Sequence, residues 1–336
     1  METKILSPKE GLEKAAQLIK DGQVVGIPTE TVYGLGANAL DKEAVLKIFA
    51  AKGRPADNPL IVHIGQFSDL EGLTDFIPLK AKKLADKFWP GPLTMIFKSN
   101  GRVPKETTGG LDTVAVRFPS HPTANALIRL SGLPIAAPSA NTSGKPSPTD
   151  ANHVFHDMKG KIPLIIDGGE SDVGVESTVI SMVTDPPLLL RPGGVTVEQI
   201  RQTIGKIDID PSVEHNIQIK TASSPGMKYK HYSPSCKVIL IHSDVGKFTK
   251  FVNQNAGPRD AAICFDEDAA GLSLPVISLG RADDRKAHAH RLFAALREAD
   301  DGGFDRGFAH CPPTDGVGLA VFNRLVRAAG FDERWL

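Results

Sequence analysis

Cysteine is nearly absent from this 336-residue chain: Cys236, Cys264 and Cys311 stand far apart, and no CxxC pair occurs. That excludes a disulfide framework and a thiolate zinc site. Aromatic residues are scarce as well. Only 2 Trp and 3 Tyr accompany 15 Phe, most of them in core-like positions, so no stacking platform for single-stranded nucleic acid is visible. Neither sign of charge is in excess, with 39 Lys and Arg against 39 Asp and Glu, and the balance holds on both sides of residue 205. A neutral chain has no global field to recruit RNA or a membrane, so charge-based recognition must be local and direct tRNA binding weak at most. No apolar run approaches the length of a membrane span, and the first residues lack the apolar core of a signal peptide. The cytoplasm is the expected location.

What is present is an alternation of helix and strand signals. Ser7-Pro8-Lys9-Glu10 reads as a capping box, and Gly22 stops the helix it opens. Val24–Ile27 follows as a buried strand, and Pro28–Ala37 as a polar, then glycine-rich loop. Asp41 caps a second helix that ends at Gly53. Further strands are predicted at Leu60–Ile64, Leu93–Phe97, Val114–Phe118, Ile135–Ala137, Leu164–Asp167 and Thr178–Val183. Helices are predicted at Ser68–Asp75, Leu79–Phe88, from Pro122 to about Gly132, at Thr149–Met158 and from Thr196 to Gly205. The pattern predicts an α/β domain over 1–205 with a twisted sheet of mixed direction. Polar residues dominate 206–236, read as an interdomain linker. Strands and helices alternate again over 237–336, as in a smaller, parallel, Rossmann-like α/β domain without a glycine fingerprint.

Several short motifs fail on context. Gly34-x-Gly36-x-x-Ala39 does not open a helix, and Gly144-Lys145 is followed by Pro146 where a phosphate loop needs Ser or Thr. His153 and His156, like His288 and His290, lack a third ligand at a telling spacing, so no metal site is assigned. The stretch Lys52–His63 holds more chemistry. Lys52 and Arg54 flank a glycine at a helix end, and Pro55 and Pro59 stiffen a loop carrying Asp57 and Asn58. Fixed cations beside an amide suit a polyphosphate. Pro138–Ser147 places hydroxyls, an amide and Lys145 directly after a strand. Glu176–Thr178 and Leu190–Gly194 put polar groups at other strand ends. No Ser-His-Asp or Cys-His arrangement is legible. The residues describe a site that orients an anionic nucleotide without a covalent nucleophile.

The segments Pro28–Ala37, Lys52–His63, Trp89–Thr94, Val114–Pro119, Pro138–Ser147, Val175–Val179 and Leu190–Gly194, in that order, closely resemble the YrdC-type L-threonylcarbamoyl-AMP synthases. Ser224–Pro234 and the second domain resemble the family's long form. The resemblance implies synthesis of threonylcarbamoyl-AMP and pyrophosphate from L-threonine, bicarbonate or CO2 and ATP, with Mg2+ entering alongside ATP. It makes the downstream partner the machinery that transfers the threonylcarbamoyl group to the tRNA adenosine next to the anticodon. Carried over residue by residue, Thr31, His63, Arg117, Ser177 and the backbone at Ala137 would hold threonine. Arg54, Asn58, Thr113, Ser139, Ser147 and Arg191 would hold ATP, with Lys52 and Asn141 beside the phosphates and catalysis resting on Lys52 and Arg54. Tyr232, with Tyr229 as its alternative, would close over the nucleotide as part of a lid over 225–234. Two other functions compete: a non-catalytic RNA-binding protein of YrdC-like fold, and a carbamoyltransferase of the hydrogenase-maturation type, whose cysteine-rich zinc modules this chain cannot build.

Overall fold

The helix Lys42–Lys52 shows how local chemistry sets this fold. Asp41 accepts from the N–H of Glu43, Ala44, Val45, Ile48 and Phe49 are buried, and Gly53 ends the helix at φ 63°. That left-handed cap is open to glycine at no steric cost. The structure, a computed structural model, describes residues 1–214 and 232–336. These form two compact units.

Eleven strands make the sheet of the first unit. In chain order they are β1 (Lys4–Leu6), β2 (Val25–Ile27), β3 (Gly34–Asn38), β4 (Ile61–His63), β5 (Leu93–Lys98), β6 (Thr113–Arg117), β7 (Ile135–Ala136), β8 (Leu164–Ile166), β9 (Thr178–Ser181), β10 (Leu188–Arg191) and β11 (Asp208–Ile209). Their order across the sheet is β1-β8-β2-β3-β7-β4-β6-β5-β9-β10-β11. Pairings are of both kinds: β4 and β6 run parallel, β5 and β6 antiparallel, β5 and β9 parallel. The expected mixed sheet is therefore present. Helices Pro8–Lys20 and Pro122–Ser131 cover part of it, burying Ala15, Ile19, Leu127 and Ile128 against Val25, Ile27 and Leu164.

Three elements differ from expectation. The glycine-rich stretch taken as a loop is strand β3, paired antiparallel with β2 and with β7. Its glycines serve close packing: a Cβ at Gly36 would lie 3.0 Å from Ile135 Cγ2 and 3.2 Å from Ile27 Cδ1. The helix expected at Ser68–Asp75 is a single 3-10 stretch, Phe67–Gly72. Beyond residue 205 the first unit continues, because β11 pairs parallel with β10 and a short helix follows at Pro211–Glu214. Residues 225–231 of the expected lid, Tyr229 among them, lie outside the described residues.

The second unit carries a five-stranded sheet of β12 (Lys237–His242), β13 (Asp260–Cys264), β14 (Val276–Ser278), β15 (Arg306–His310) and β16 (Glu333–Trp335). Its order is β14-β13-β15-β12-β16 and every pairing is parallel, as the alternation predicts. Three of its helix N-termini carry a bonded carboxylate. Asp244 accepts from Lys247 N, Asp284 from Lys286 N and Ala287 N, and Asp268 from Phe265 N. Phosphates favour the same positions, so a carboxylate already occupies each of these three; the helix Gly318–Ala328 has no side-chain cap.

Gly193 tests how tightly the first unit is packed. A Cβ there would meet Thr178 N at 2.3 Å, Glu176 O at 2.4 Å and the Ser177 carbonyl carbon at 2.5 Å, all of them backbone. Gly193→Ala should lose about 1–3 kcal/mol of unfolding free energy by urea titration. An unchanged midpoint and slope would show that the 176–178 segment yields freely.

Candidate active site

Burying a guanidinium is costly, and Arg117 is only 3% exposed. It ends β6, beside His63 at the end of β4 and Thr94 on β5, its register partners on either side. Nη1 donates to Thr31 Oγ1 at 2.8 Å and Nε donates to the Gly91 carbonyl at 3.3 Å. Nη2 lies 2.7 Å from Glu30 Oε1, both side chains being about 5% exposed or less. Thr31 is oriented in turn by Thr29, whose Oγ1 lies 2.9 Å away.

Charge in this cluster is unevenly distributed. Burial pushes the Glu30 carboxyl up, but Arg117, with the backbone N–H groups of Ser120 and Glu30, outweighs that and holds it below the usual carboxylate range. Neither Glu30 oxygen, however, has a hydrogen bond of acceptable geometry. For His63, burial first and the Arg117 charge second lower the pKa to about 3, against weaker opposing effects of Glu30 and nearby carbonyls. His63 is thus a neutral imidazole at ordinary pH, and its Nδ1 has no hydrogen-bond partner.

The site extends along the sheet through Thr94, whose Oγ1 lies 2.7 Å from Ser177 Oγ. Arg191, at the end of β10, donates from Nε to the Ser177 carbonyl at 3.1 Å and from Nη2 to Ser177 Oγ at 3.2 Å. Ser147 Oγ donates to Glu176 Oε1 at 2.6 Å. Thr31, His63, Arg117, Ser177 and Arg191 are therefore joined by contacts or by register.

Lys52 organises a second region. Its buried ammonium donates to the Ser139 and Asn141 carbonyls at 2.5 and 2.7 Å, and Asn141 Oδ1 lies 3.4 Å away. Ser139 Oγ donates to Asn141 Oδ1 at 2.6 Å, and Ser143 N to the Lys52 carbonyl at 2.9 Å. Ala137, just upstream, donates its N–H to Ile61 at the start of β4. In the loop after the helix, Arg54 lies 5.9 Å from the Phe49 ring centroid and its Nη2 reaches the Asn58 carbonyl at 3.4 Å. Asn58 is fully buried, yet neither of its amide atoms has a hydrogen-bond partner. Such orphans are rare enough in folded proteins to need an explanation, and a ligand that bonds them is one.

Two further expected residues occupy other elements. Thr113 begins β6, four residues from Arg117 and so about 13 Å along the strand. Tyr232 belongs to the second unit, where it is buried at φ 63° with its ring centroid 5.2 Å from that of Phe293 and the Arg324 guanidinium 5.9 Å away. Conversely, Glu30, Thr94 and Glu176 carry much of the bonding without having been singled out as site residues. All three lie in the segments on which the resemblance rests; only burial, which composition does not reveal, separates them from ordinary polar loop residues.

A mixed sheet with cations gathered at strand ends and at one helix terminus defines a class, and comparison with known proteins agrees. Residues 17–193 match the Sua5/YciO/YrdC family, described as telomere recombination, and the chain belongs to that family. Residues 195–330 match the threonylcarbamoyl-AMP synthase C-terminal domain. Threonylcarbamoyl-AMP synthase from Pyrococcus abyssi is 49% identical over 343 residues, spanning 98% of each chain. The protein of that name from Bacillus subtilis is 49% identical over 95% of this chain and 93% of its own. The solved structure of P. abyssi Sua5 complexed with L-threonine superposes with a TM-score of 0.89 at 48% identity, covering 100% of this chain and 98% of that one.

The neutral state of His63 has a consequence for stability. With its pKa near 3 in the fold and near the usual 6.5 when unfolded, the unfolded chain binds a proton here between those values and the native chain does not. Stability from this residue is complete above pH 6.5 and falls with acidification, by about 1.4 kcal/mol per pH unit. Urea unfolding of His63→Gln from pH 6.5 to 4.5 should show a slope shallower than wild type by about one proton. Parallel slopes would mean that His63 is not held neutral.

Proposed function

We propose that this chain makes threonylcarbamoyl-AMP and pyrophosphate from L-threonine, bicarbonate or CO2, and ATP, as a cytoplasmic enzyme supplying the machinery that modifies tRNA. Relatives bearing that name along essentially the whole chain support the activity. The observation that carries the site is the buried Arg117 fork set between Thr31, Glu30 and the neutral His63. Its planar donors match the carboxylate of an amino acid. Thr31, His63 and Ser177 supply groups for the threonine hydroxyl, and Ala137 its backbone. Among the described residues, no helix is long and apolar enough to cross a membrane.

The reaction asks for positioning more than for acid–base chemistry. The threonine ammonium releases a proton to solvent, and the free amine captures CO2 and sheds a second proton to solvent. An oxygen of the resulting N-carboxylate attacks the α-phosphorus of ATP as pyrophosphate leaves. Arg54, Asn58, Thr113, Ser139, Asn141, Ser147, Arg191 and, by the resemblance, Tyr232 are the residues we assign to ATP. Neutralising the leaving pyrophosphate falls to Arg54 and Arg191. Lys52 acts differently: its donors are committed to Ser139 and Asn141, so it holds the loop that meets the phosphates. Among the described residues, no group of three or more His, Cys, Asp or Glu is placed to hold a metal ion. We assign Mg2+ to the phosphates and water, where it would supply further neutralisation.

Pyrophosphate release from purified protein should require threonine and bicarbonate together with ATP. Arg54→Ala should keep the wild-type circular dichroism and unfolding midpoint but lower kcat/KM by about 2–5 kcal/mol of transition-state binding. Lys52→Ala should lower both activity and stability, because two carbonyls lose their donor. Pyrophosphate released at full rate without threonine would remove the assignment, and wild-type turnover by Arg54→Ala would remove Arg54 from the site.

A further inference from the structure

Within the amino-acid pocket assigned above, Glu30 carries a buried charge that the carried-over roles leave unexplained. Its side chain is about 5% exposed, and Arg117 Nη2, at 2.7 Å from Oε1, is its ion-pair partner. A carboxylate has about four acceptor positions. The backbone N–H groups of Ser120 and Glu30 approach it and help to lower its pKa, yet neither oxygen receives a well-aligned hydrogen bond. A carboxylate serving only to anchor Arg117 would be expected to meet it fork to fork, as buried Arg–carboxylate pairs commonly do. Arg117 is in any case already held by Thr31 and Gly91.

Charge balance says what the open carboxylate is for. Without ligand, Arg117 and Glu30 neutralise one another. When the carboxylate of a zwitterionic amino acid takes the Arg117 fork, Glu30 loses part of its counter-charge while still buried, at a cost of several kcal/mol unless another cation arrives. The ammonium of the same ligand lies only two bonds from its carboxylate. His63 cannot supply that cation, since burial and Arg117 keep it neutral. We propose that Glu30 accepts the α-ammonium group of the substrate and so determines that the pocket takes an α-amino acid and rejects the corresponding α-hydroxy acid.

This inference rests on the threonine reading, and the test separates the two. L-threonine and 2,3-dihydroxybutanoate of matching stereochemistry, which replaces the ammonium with a hydroxyl, are titrated calorimetrically into the full-length protein. Wild type should prefer threonine by about 100-fold or more, the scale of losing a charged hydrogen-bonding partner in a buried site. Glu30→Gln should lose about 100-fold in threonine affinity while its affinity for the hydroxy acid changes less than about threefold, and Glu30→Asp should recover part of the preference. Equal losses for both ligands would reduce Glu30 to a positioning residue for Arg117 and overturn the proposal. So would a wild type that binds the two ligands equally, a result that holds even if Glu30→Gln does not fold. A wild type that binds neither would instead remove the threonine reading, and this inference with it.

Discussion

A guanidinium withdrawn from water has to be compensated from several directions, and Arg117 draws its partners from widely separated parts of the chain. Glu30 and Thr31 come from the turn after β2, Gly91 from the turn before β5, and His63 from the neighbouring strand. None of these contacts survives if β4, β5 and β6 slip in register, because a one-residue shift would turn Arg117 to the opposite face of the sheet. The mixed strand order follows from the same demand. β6 lies between a parallel neighbour whose end presents His63 and an antiparallel neighbour whose beginning presents Thr94. The Ser177 hydroxyl then reaches Thr94, and Arg191 reaches Ser177, so one buried charge is tied through the sheet to a second.

Lys52 plays the matching part for the loop after β7. Its three short approaches to Ser139 and Asn141 join residues 87 and 89 positions apart, and the left-handed Gly53 turns the chain away immediately afterwards. With its ammonium committed to these carbonyls, Lys52 fixes the backbone of the loop. A reaction without a covalent nucleophile depends on such preorganisation, since its barrier is lowered by fixing the reactants and by neutralising charge. The orphaned amide of Asn58 fits the same picture: a polar group desolvated during folding has already met part of the cost that binding would otherwise carry.

Residue patterns revealed the features that depend on local chemistry. The caps at Asp41 and Thr196, the glycine stops at Gly53 and Gly132, and the parallel second sheet all follow from signals a few residues long. Patterns failed where a residue's meaning depends on a distant neighbour. Gly34 and Gly36 read as turn formers because nothing local shows that Ile135 and Ile27 crowd them into a strand. Glu30 was one polar residue in a polar stretch until Arg117, 87 positions away, gave it a partner. Thr113 and Arg117 are only four positions apart, yet an extended strand holds them at opposite ends.

The two sheets also differ in what closes their edges, and this bears on where nucleotide chemistry resides. In the first unit, cations stand at the ends of strands and at a helix C-terminus: Arg117, Arg191 and Lys52. In the second, Asp244, Asp268 and Asp284 occupy three of the helix N-termini. A phosphate approaching those termini would meet a carboxylate already bonded to the N–H groups it needs, and like charges would repel. A parallel, Rossmann-like sheet is by itself an invitation to assign a nucleotide site, but fold does not decide function. Carboxylates cap three of the second unit's helix N-termini, and the fourth, at Gly318, follows Val317 with no side-chain cap. What distinguishes the first unit is therefore its buried cations Arg117, Arg191 and Lys52, groups suited to a carboxylate or a phosphate.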